Sequence, residues 1–264
     1  MISTDCFTAY RQDPYEAMAA DEWLFSHVME KPGRIALRLY TWERGAITFG
    51  LNQKLEKAVN RNALGNTPLI RRITGGRALY HDPSELTYAI AANVEGLMNK
   101  KFGLSVGNTA RSIAKAMKVF LKDQNIESDY IRQSPKRNLN PDYFHSAPCF
   151  DSKSRYELVS SGHKIVASSQ RRIGMVILQH GAIKLGGVAQ HPALGGRSTK
   201  VDSLPTLSSE SFTSLAESFI VSIGKSLDLS IVLFQPSLSQ KQAIIYRAEY
   251  IRKNALSRRD IVKQ

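Results

Sequence analysis

This sequence predicts an α+β fold: a mixed, largely antiparallel sheet flanked by helices. Three observations carry the prediction. Helical and strand-like segments mix along the chain without the regular β-α-β rhythm of a parallel sheet. No internal repeat, Pro-rich linker or like-charge block divides the 264 residues. The composition, 42% hydrophobic and 22% charged with 17 glycines and 10 prolines, is that of a chain with a real core to bury, so disorder and low-complexity classes are excluded. The chain therefore reads as one domain over residues 1–264.

Asp13-Pro14-Tyr15-Glu16 opens a first helix, with Asp13 as cap, Pro14 at the first helical position and Glu16 placed for a capping box. Met18, Leu24, Phe25 and Val28 supply its apolar face. Ile35–Tyr40 alternates as a strand, with Ile35, Leu37 and Leu39 on one side, and Ala46–Phe49 reads as its neighbour. Leu69-Ile70 and Glu85–Ala92 read as strands on either side of a Gly-rich turn. Asn108–Ile126 has the clearest helical spacing, in Ile113, Ala114, Met117, Phe120 and Leu121. After a polar stretch from Asp129 to His145, strands return at Tyr156–Val159, Lys164–Ser168 and Met175–Leu185. Helices over Ser209–Leu227 and Ser239–Lys253 close the chain.

Function classes narrow from composition. No run of about 18 apolar residues exists, so no transmembrane helix is expected. The N-terminus lacks a basic region followed by an apolar stretch, so no secretory signal is expected. Two distant cysteines, Cys6 and Cys149, fit neither a disulfide framework nor a cysteine zinc site, and a reducing cytoplasm is the expectation. The 36 basic against 23 acidic residues give +13, which fits nucleic acid, an anionic surface or acidic protein partners without choosing among them.

Three segments carry candidate chemistry. Arg71-Arg72-Ile73-Thr74-Gly75-Gly76-Arg77-Ala78 places two glycines between arginines, so exposed N–H groups there suit an anion; taken alone, it reads as a plain turn. It is neither a P-loop nor a dinucleotide fingerprint. Ser146-Ala147-Pro148-Cys149-Phe150 sets Cys149 among polar and basic residues; a buried, inert thiol is the usual fate of a lone cysteine, and a nucleophile would need a lowered pKa, because the thiolate attacks. Lys164 follows 15 residues later, and a hairpin between the strands at Tyr156 and Lys164 would let its charge favour that thiolate. A Cys-His pair is the rival; His81, His145, His163 and His180 are available, and spacing does not select among them. No metal site is expected. Ala167-Ser168-Ser169, finally, would either pack closely between strands or leave room beside one for a slender ligand.

In this order the segments resemble the lipoate-assembly superfamily of lipoate–protein ligases, octanoyltransferases and, more distantly, biotin–protein ligases. The resemblance spans roughly residues 10–205, through Ile47–Gln53, Arg71–Tyr88, Pro148–Leu158, Gly162–Arg172 and Leu178–Ile183; the part beyond about 206 matches weakly. Gly75-Gly76-Arg77 stands where ATP-dependent ligases carry three glycines, and Pro148-Cys149-Phe150 with Lys164 matches the octanoyltransferase type. Ala167-Ser168-Ser169-Gln170 departs from the commoner Gly-Ser-Ala-Gln. The resemblance implies a biotin/lipoate protein ligase-like fold and octanoyl transfer from an acidic acyl carrier protein to a lysine of a lipoyl domain, such as that of a glycine cleavage H protein. Cys149 would be the acyl-thioester nucleophile and Lys164 the charge beside it. Arg72, Gly75, Gly76, Arg77, His81, Ser168, His180 and Gly181 would bind substrate. Arg71, Arg72, Arg77, Arg171, Arg172 and the C-terminal basic residues would dock the partners. No cofactor, nucleic acid or membrane is implied, and a monomer is expected. The alternatives are a lipoate–protein ligase, which would need ATP and Mg, an amidotransferase between lipoyl proteins, and a basic nucleic-acid-binding module.

Overall fold

The computed structural model describes residues 2–96, 98–131, 156–185, 190–195 and 206–256. Cys149, with Pro148 and Phe150, lies outside the described residues.

The chain opens on a strand that the sequence pattern did not reveal, β1 (Ile2–Gln12), which leads into α1 (Pro14–Met29). Asp13 caps α1 as expected: its Oδ1 accepts from the Tyr15 N–H at 2.9 Å and the Glu16 N–H at 3.3 Å. Next come β2 (Ile35–Trp42), β3 (Ala46–Phe49), the short α2 (Leu55–Ala58) and β4 (Leu69–Arg71). Two strands, β5 (Leu79–His81) and β6 (Leu86–Asn93), precede α3 (Met98–Phe102) and α4 (Val106–Asp123). Helix α4 begins two residues before the sequence suggests, because the Ser105 side chain caps it through the Asn108 N–H. Strands β7 (Asp129–Tyr130), β8 (Leu158–Ser160), β9 (His163–Ile173) and β10 (Val176–Ile183) follow. Helix α5 (Ser209–Leu227), strand β11 (Leu229–Leu233) and helix α6 (Leu238–Asn254) complete the described chain.

Eight strands form one mixed sheet in the order β11-β1-β2-β6-β10-β9-β8-β7. The pairs β1/β11 and β1/β2 are parallel, and the others are antiparallel, which is the predicted sheet. One prediction needs correcting. Strand β3 does not pair with β2; it is the centre of a separate three-stranded sheet, β4-β3-β5. The Gly-rich segment between β4 and β5 reaches the large sheet through Thr74 Oγ1, 2.8 Å from Ser169 Oγ of β9 and 2.7 Å from His180 Nε2 of β10.

The large sheet is covered on both faces. Ile35, Leu37 and Leu39 of β2 pack with Met117 and Phe120 of α4 and Phe219 and Ile223 of α5. Ala36, Tyr40 and Trp42, the alternate residues, pack with Leu24 and Val28 of α1 and Ile244 and Ala248 of α6. No residue of β2 faces water, because α1 covers the side that strict alternation would leave exposed.

Candidate active site

Two of the three segments singled out by sequence meet at one place, while the segment of Cys149 lies outside the described residues. A cavity enclosing about 380 Å³, mouth included, lies between the Gly-rich segment and strands β9 and β10. Gly76, Ser168 and Ser169 line its accessible end; Tyr40, Thr48, Thr87 and Ala182, all buried, line its depth. Met18 of α1 and Leu79 of β5 complete an apolar side. The result is a narrow slot with one open end.

Small residues create the slot. A Cβ at Gly181 would fall 2.6 Å from the Ala167 carbonyl oxygen and 2.8 Å from both Ser168 Oγ and Tyr88 Cε1. Only glycine there leaves Tyr88 OH free to meet Ser168 Oγ at 2.8 Å. At Gly76 the backbone takes φ +87°, a conformation that favours glycine, and a Cβ would press on Arg72.

Arg72 organises this loop from beneath. Its Nη2 donates to the carbonyls of Gly75 at 2.8 Å and Arg77 at 2.7 Å, and its Nη1 to Thr48 Oγ1 at 3.1 Å. Thr48 Oγ1 also meets His81 Nε2 at 2.8 Å, and His81 Nδ1 meets Glu85 Oε1 at 2.7 Å. Trp42 stacks on His81 at 4.1 Å between ring centres and donates to Thr87 Oγ1 at 2.8 Å. Behind them Lys184 Nζ sits 2.8 Å from Asp82 Oδ2 and 2.5 Å from Glu85 Oε2. Burial raises the Glu85 carboxyl, but His81 and Lys184 outweigh it and hold it at about 2. Burial dominates at His81 and pulls its imidazole below the ordinary value, against the opposing pull of Glu85.

A second buried chain fastens the loop to the sheet. Ser169 Oγ meets Thr74 Oγ1 at 2.8 Å, Thr74 Oγ1 meets His180 Nε2 at 2.7 Å, and His180 Nδ1 meets Asp21 Oδ2 at 2.7 Å. Arg38 closes the chain at 2.6 Å from Asp21 Oδ1, with its guanidinium 3.9 Å from the Tyr40 ring centre. Burial raises the Asp21 carboxyl, yet Arg38 and His180 outweigh it and hold it below the ordinary carboxylate range. An ionised Asp21 keeps the His180 proton on Nδ1 and fixes the ring against the slot. The polar atoms at the slot's depth are thus bonded to the protein itself, which leaves an incoming ligand an apolar surface.

Of the residues expected to bind substrate, Arg72, Gly76, His81, Ser168, His180 and Gly181 line the slot. Gly75 and Arg77 are not among its lining residues; each offers its carbonyl to Arg72 instead. Strands β8 and β9 form the expected hairpin, and within it Lys164 Nζ lies 2.7 Å from Glu157 Oε1. Lys164 is buried and does not line the slot. Its relation to Cys149 falls outside the described residues.

Several arginines expected to dock partners are committed elsewhere. Arg71 donates to the carbonyls of Leu51 and Gln53 at 3.0 Å each and lies over the Phe49 ring; Arg72 is buried. Arg171 donates to the Ile73 carbonyl at 3.1 Å, and Arg172 to Gly103 and Thr109. Each satisfies backbone groups that a loop leaves without a ladder partner. Of the C-terminal basic residues, Arg247 pairs with Glu22 and Arg252 with Asp13, while residues 257–264 lie outside the described chain. Sequence reasoning missed Met18, Tyr40, Thr48, Leu79 and Thr87, and the Asp21–Arg38 pair. The available signal was an arginine within an apolar alternating strand and an acid within the Ala-rich face of α1.

Residues 13–194 match the model of the lipoyl protein ligase A/B catalytic domain. The octanoyltransferase LipM of Carboxydothermus hydrogenoformans is 30% identical over 246 residues, which cover 86% of this chain and 87% of that protein. The LipM octanoyltransferases of Moorella thermoacetica and Staphylococcus aureus are 35% identical over 178 residues and 33% over 175. Those two matches cover 66% and 65% of this chain, and each spans 62% of the relative's length. Among solved structures, a lipoate-protein ligase A bound with ATP superposes with a TM-score of 0.68 at 16% identity, covering 94% of this chain and 95% of the other. A bipartite archaeal lipoate protein ligase with its E2 lipoyl domain, from Thermoplasma acidophilum, gives 0.64 at 15% identity, covering 94% and 93%. These structural likenesses show the fold.

Proposed function

The chain belongs to the lipoyl protein ligase A/B catalytic-domain family, and from that membership and the slot we infer that it is an octanoyltransferase of lipoate biosynthesis. The donor is octanoyl-acyl carrier protein, the acceptor a lysine on a lipoyl domain, and the carrier of the acyl group is Cys149. One catalytic domain does this work, as a monomer in the cytoplasm.

The observation that carries this reading is the slot. It is narrow, open at Gly76, Ser168 and Ser169, and its deep polar atoms are bonded internally. An octanoyl chain presents six methylenes, and burying them at about 0.8 kcal/mol each supplies roughly 5 kcal/mol of binding. A charged or strongly polar ligand would gain nothing at that depth.

The chemistry follows in two balanced steps. The Cys149 thiolate attacks the thioester carbonyl, the bond to the carrier sulfur breaks, and the carrier leaves as a thiol once protonated. One thioester is exchanged for another at little free-energy cost. The neutral lysine amine of the acceptor then attacks, the carbon–sulfur bond to Cys149 breaks as the amide forms, and the proton lost from nitrogen passes to solvent, which leaves Cys149 as thiolate. Amide formation from a thioester runs downhill, so neither ATP nor a metal is required. Lys164 stabilises negative charge on the sulfur and on the developing oxyanion, and Glu157 holds its ammonium in place. Backbone N–H groups near Gly75 and Ser168 are further oxyanion donors; losing one such donor costs about 10²–10³ in rate.

Steady-state transfer to a lipoyl domain tests the reading. Octanoyl-acyl carrier protein without ATP is the expected donor pair; transfer only from free lipoate with ATP and Mg would establish a ligase in its place.

A further inference from the structure

A second cavity lies on the other face of the large sheet, beneath α4, and Glu157, the partner of Lys164, stands in its wall. It encloses about 650 Å³, mouth included. Val106, Ala110, Ala114 and Met117 line one wall, a stripe on one side of the helix. Exposure along that stripe falls from 55% at Val106 to 1% at Met117, so the cavity opens at the N-terminal end of α4 and closes inward. Alanine at 110 and 114 keeps it open.

The opposite wall is a polar ladder across the strands. Gln170 Nε2 donates to Gln179 Oε1 at 3.0 Å, and Gln179 Nε2 donates to Tyr88 OH at 3.0 Å. Tyr88, having accepted, donates to Ser168 Oγ. The ladder ends on one unused acceptor: Gln170 Oε1 is buried and, among the described residues, has no hydrogen-bond partner. A buried acceptor left in that state is costly, and a ligand N–H would satisfy it.

Ser168 and Ser169 line both cavities. A single ligand centred there would extend one part into the apolar slot and another under α4. The second part must be slender, apolar on the helix side, and able to donate from an amide N–H. Resting on the octanoyl-thioester reading above, we propose that the cavity under α4 binds the pantetheine arm of the acyl donor, with an arm amide N–H donating to Gln170 Oε1. The thioester carbon then lies at Ser168 and Ser169, the neighbouring residues that line both cavities.

The test compares two donors for transfer to a lipoyl domain: S-octanoyl-pantetheine, and S-octanoyl-mercaptoethanol, which has no amide arm. The wild type favours the pantetheine thioester in kcat/KM by about tenfold or more, as a hydrogen bond and a filled cavity imply. In Ala110→Leu, which narrows the cavity, and in Gln170→Leu, which removes the acceptor, that preference collapses while transfer from the mercaptoethanol thioester persists. Equal use of both donors by the wild type overturns the proposal, as does a preference that survives both substitutions or an equal loss with both donors. A wild type that transfers octanoyl from neither thioester overturns the octanoyltransferase reading itself. Thermal unfolding identifies a variant that fails to fold, and the other variant then decides.

Discussion

Replacing Lys184 with Met should destabilise the protein by several kcal/mol, and the loss should depend on pH in a defined sense. Lys184 is fully buried, its ammonium 2.8 Å from Asp82 and 2.5 Å from Glu85, both equally buried. Methionine nearly preserves the side-chain volume, so the change deletes a charge and opens little space. Removing one partner of a buried ion pair typically costs about 3–5 kcal/mol. The Glu85 carboxyl, held at about 2 against an ordinary 4.5 by His81 and Lys184 together, sets the pH range of the effect. For a chain of this size each kcal/mol lowers Tm by about 2–4 °C, so a fall on the order of 10 °C is expected at pH 7. A depressed acid contributes its stability above its unfolded pKa and loses it as pH falls toward the folded value. The wild type therefore gives up this increment below about pH 4.5, and the gap to Lys184→Met should narrow on acidification. Thermal or urea unfolding at pH 7 and pH 4 measures it. A loss below about 1 kcal/mol at pH 7, or a gap that widens on acidification, would refute the reasoning.

Other substitutions separate further parts of the account. Gly181→Val forces side-chain atoms against Ala167, Ser168 and Tyr88; stability should fall by about 1–3 kcal/mol and KM for the octanoyl donor should rise, whereas unchanged KM in a folded variant would show that the slot is not used. Asp21→Asn leaves the Arg38 guanidinium buried without its counter-ion and frees the His180 ring; urea unfolding should register about 3–5 kcal/mol lost, together with a lower transfer rate. Arg72→Ala removes bonds to Gly75, Arg77 and Thr48, so its effect on kcat/KM should persist at high salt, in contrast to Lys253→Glu on the exposed surface of α6, whose effect should fade as ionic strength screens it. Salt-independent loss in both, or in neither, would contradict that division.

Local signals were the ones the sequence displayed well. Asp13-Pro14 marks the start of α1 through a cap that needs only its next three residues. The apolar spacing of α4 and α5 is equally self-contained, and α5 runs over the same Ser209–Leu227 that the spacing implies. Strands whose existence depends on distant partners were harder. Residues 2–12 mix Thr, Asp, Cys and Tyr without clean alternation, and become β1 because β11 and β2 flank them. The three residues of β5 are too few for any period to emerge, although they place His81 at the slot.

The candidate site divides in the same way. Gly75-Gly76, the small residues at 167–169, and His180-Gly181 are compact motifs, and the fold brings their segments together at one cavity. Arg38 stands on the side of β2 opposite Ile35, Leu37 and Leu39, and Asp21 on α1. Their pairing requires α1 to lie across β2, a tertiary fact carried by no single window of sequence. The arginines around the loop illustrate the converse. Their clustering suggested displayed charge, yet they hold backbone carbonyls of the turns they punctuate.

The central claim is covalent passage of an octanoyl group through one sulfur. Mixing the protein with octanoyl-acyl carrier protein, quenching in acid and weighing the intact chain tests it most directly. The expected result is an added octanoyl mass that maps to Cys149, is absent from Cys149→Ala, and disappears when a lipoyl domain is added. An unmodified chain that still octanoylates the lipoyl domain, or a Cys149→Ala variant with full transfer activity, would contradict it.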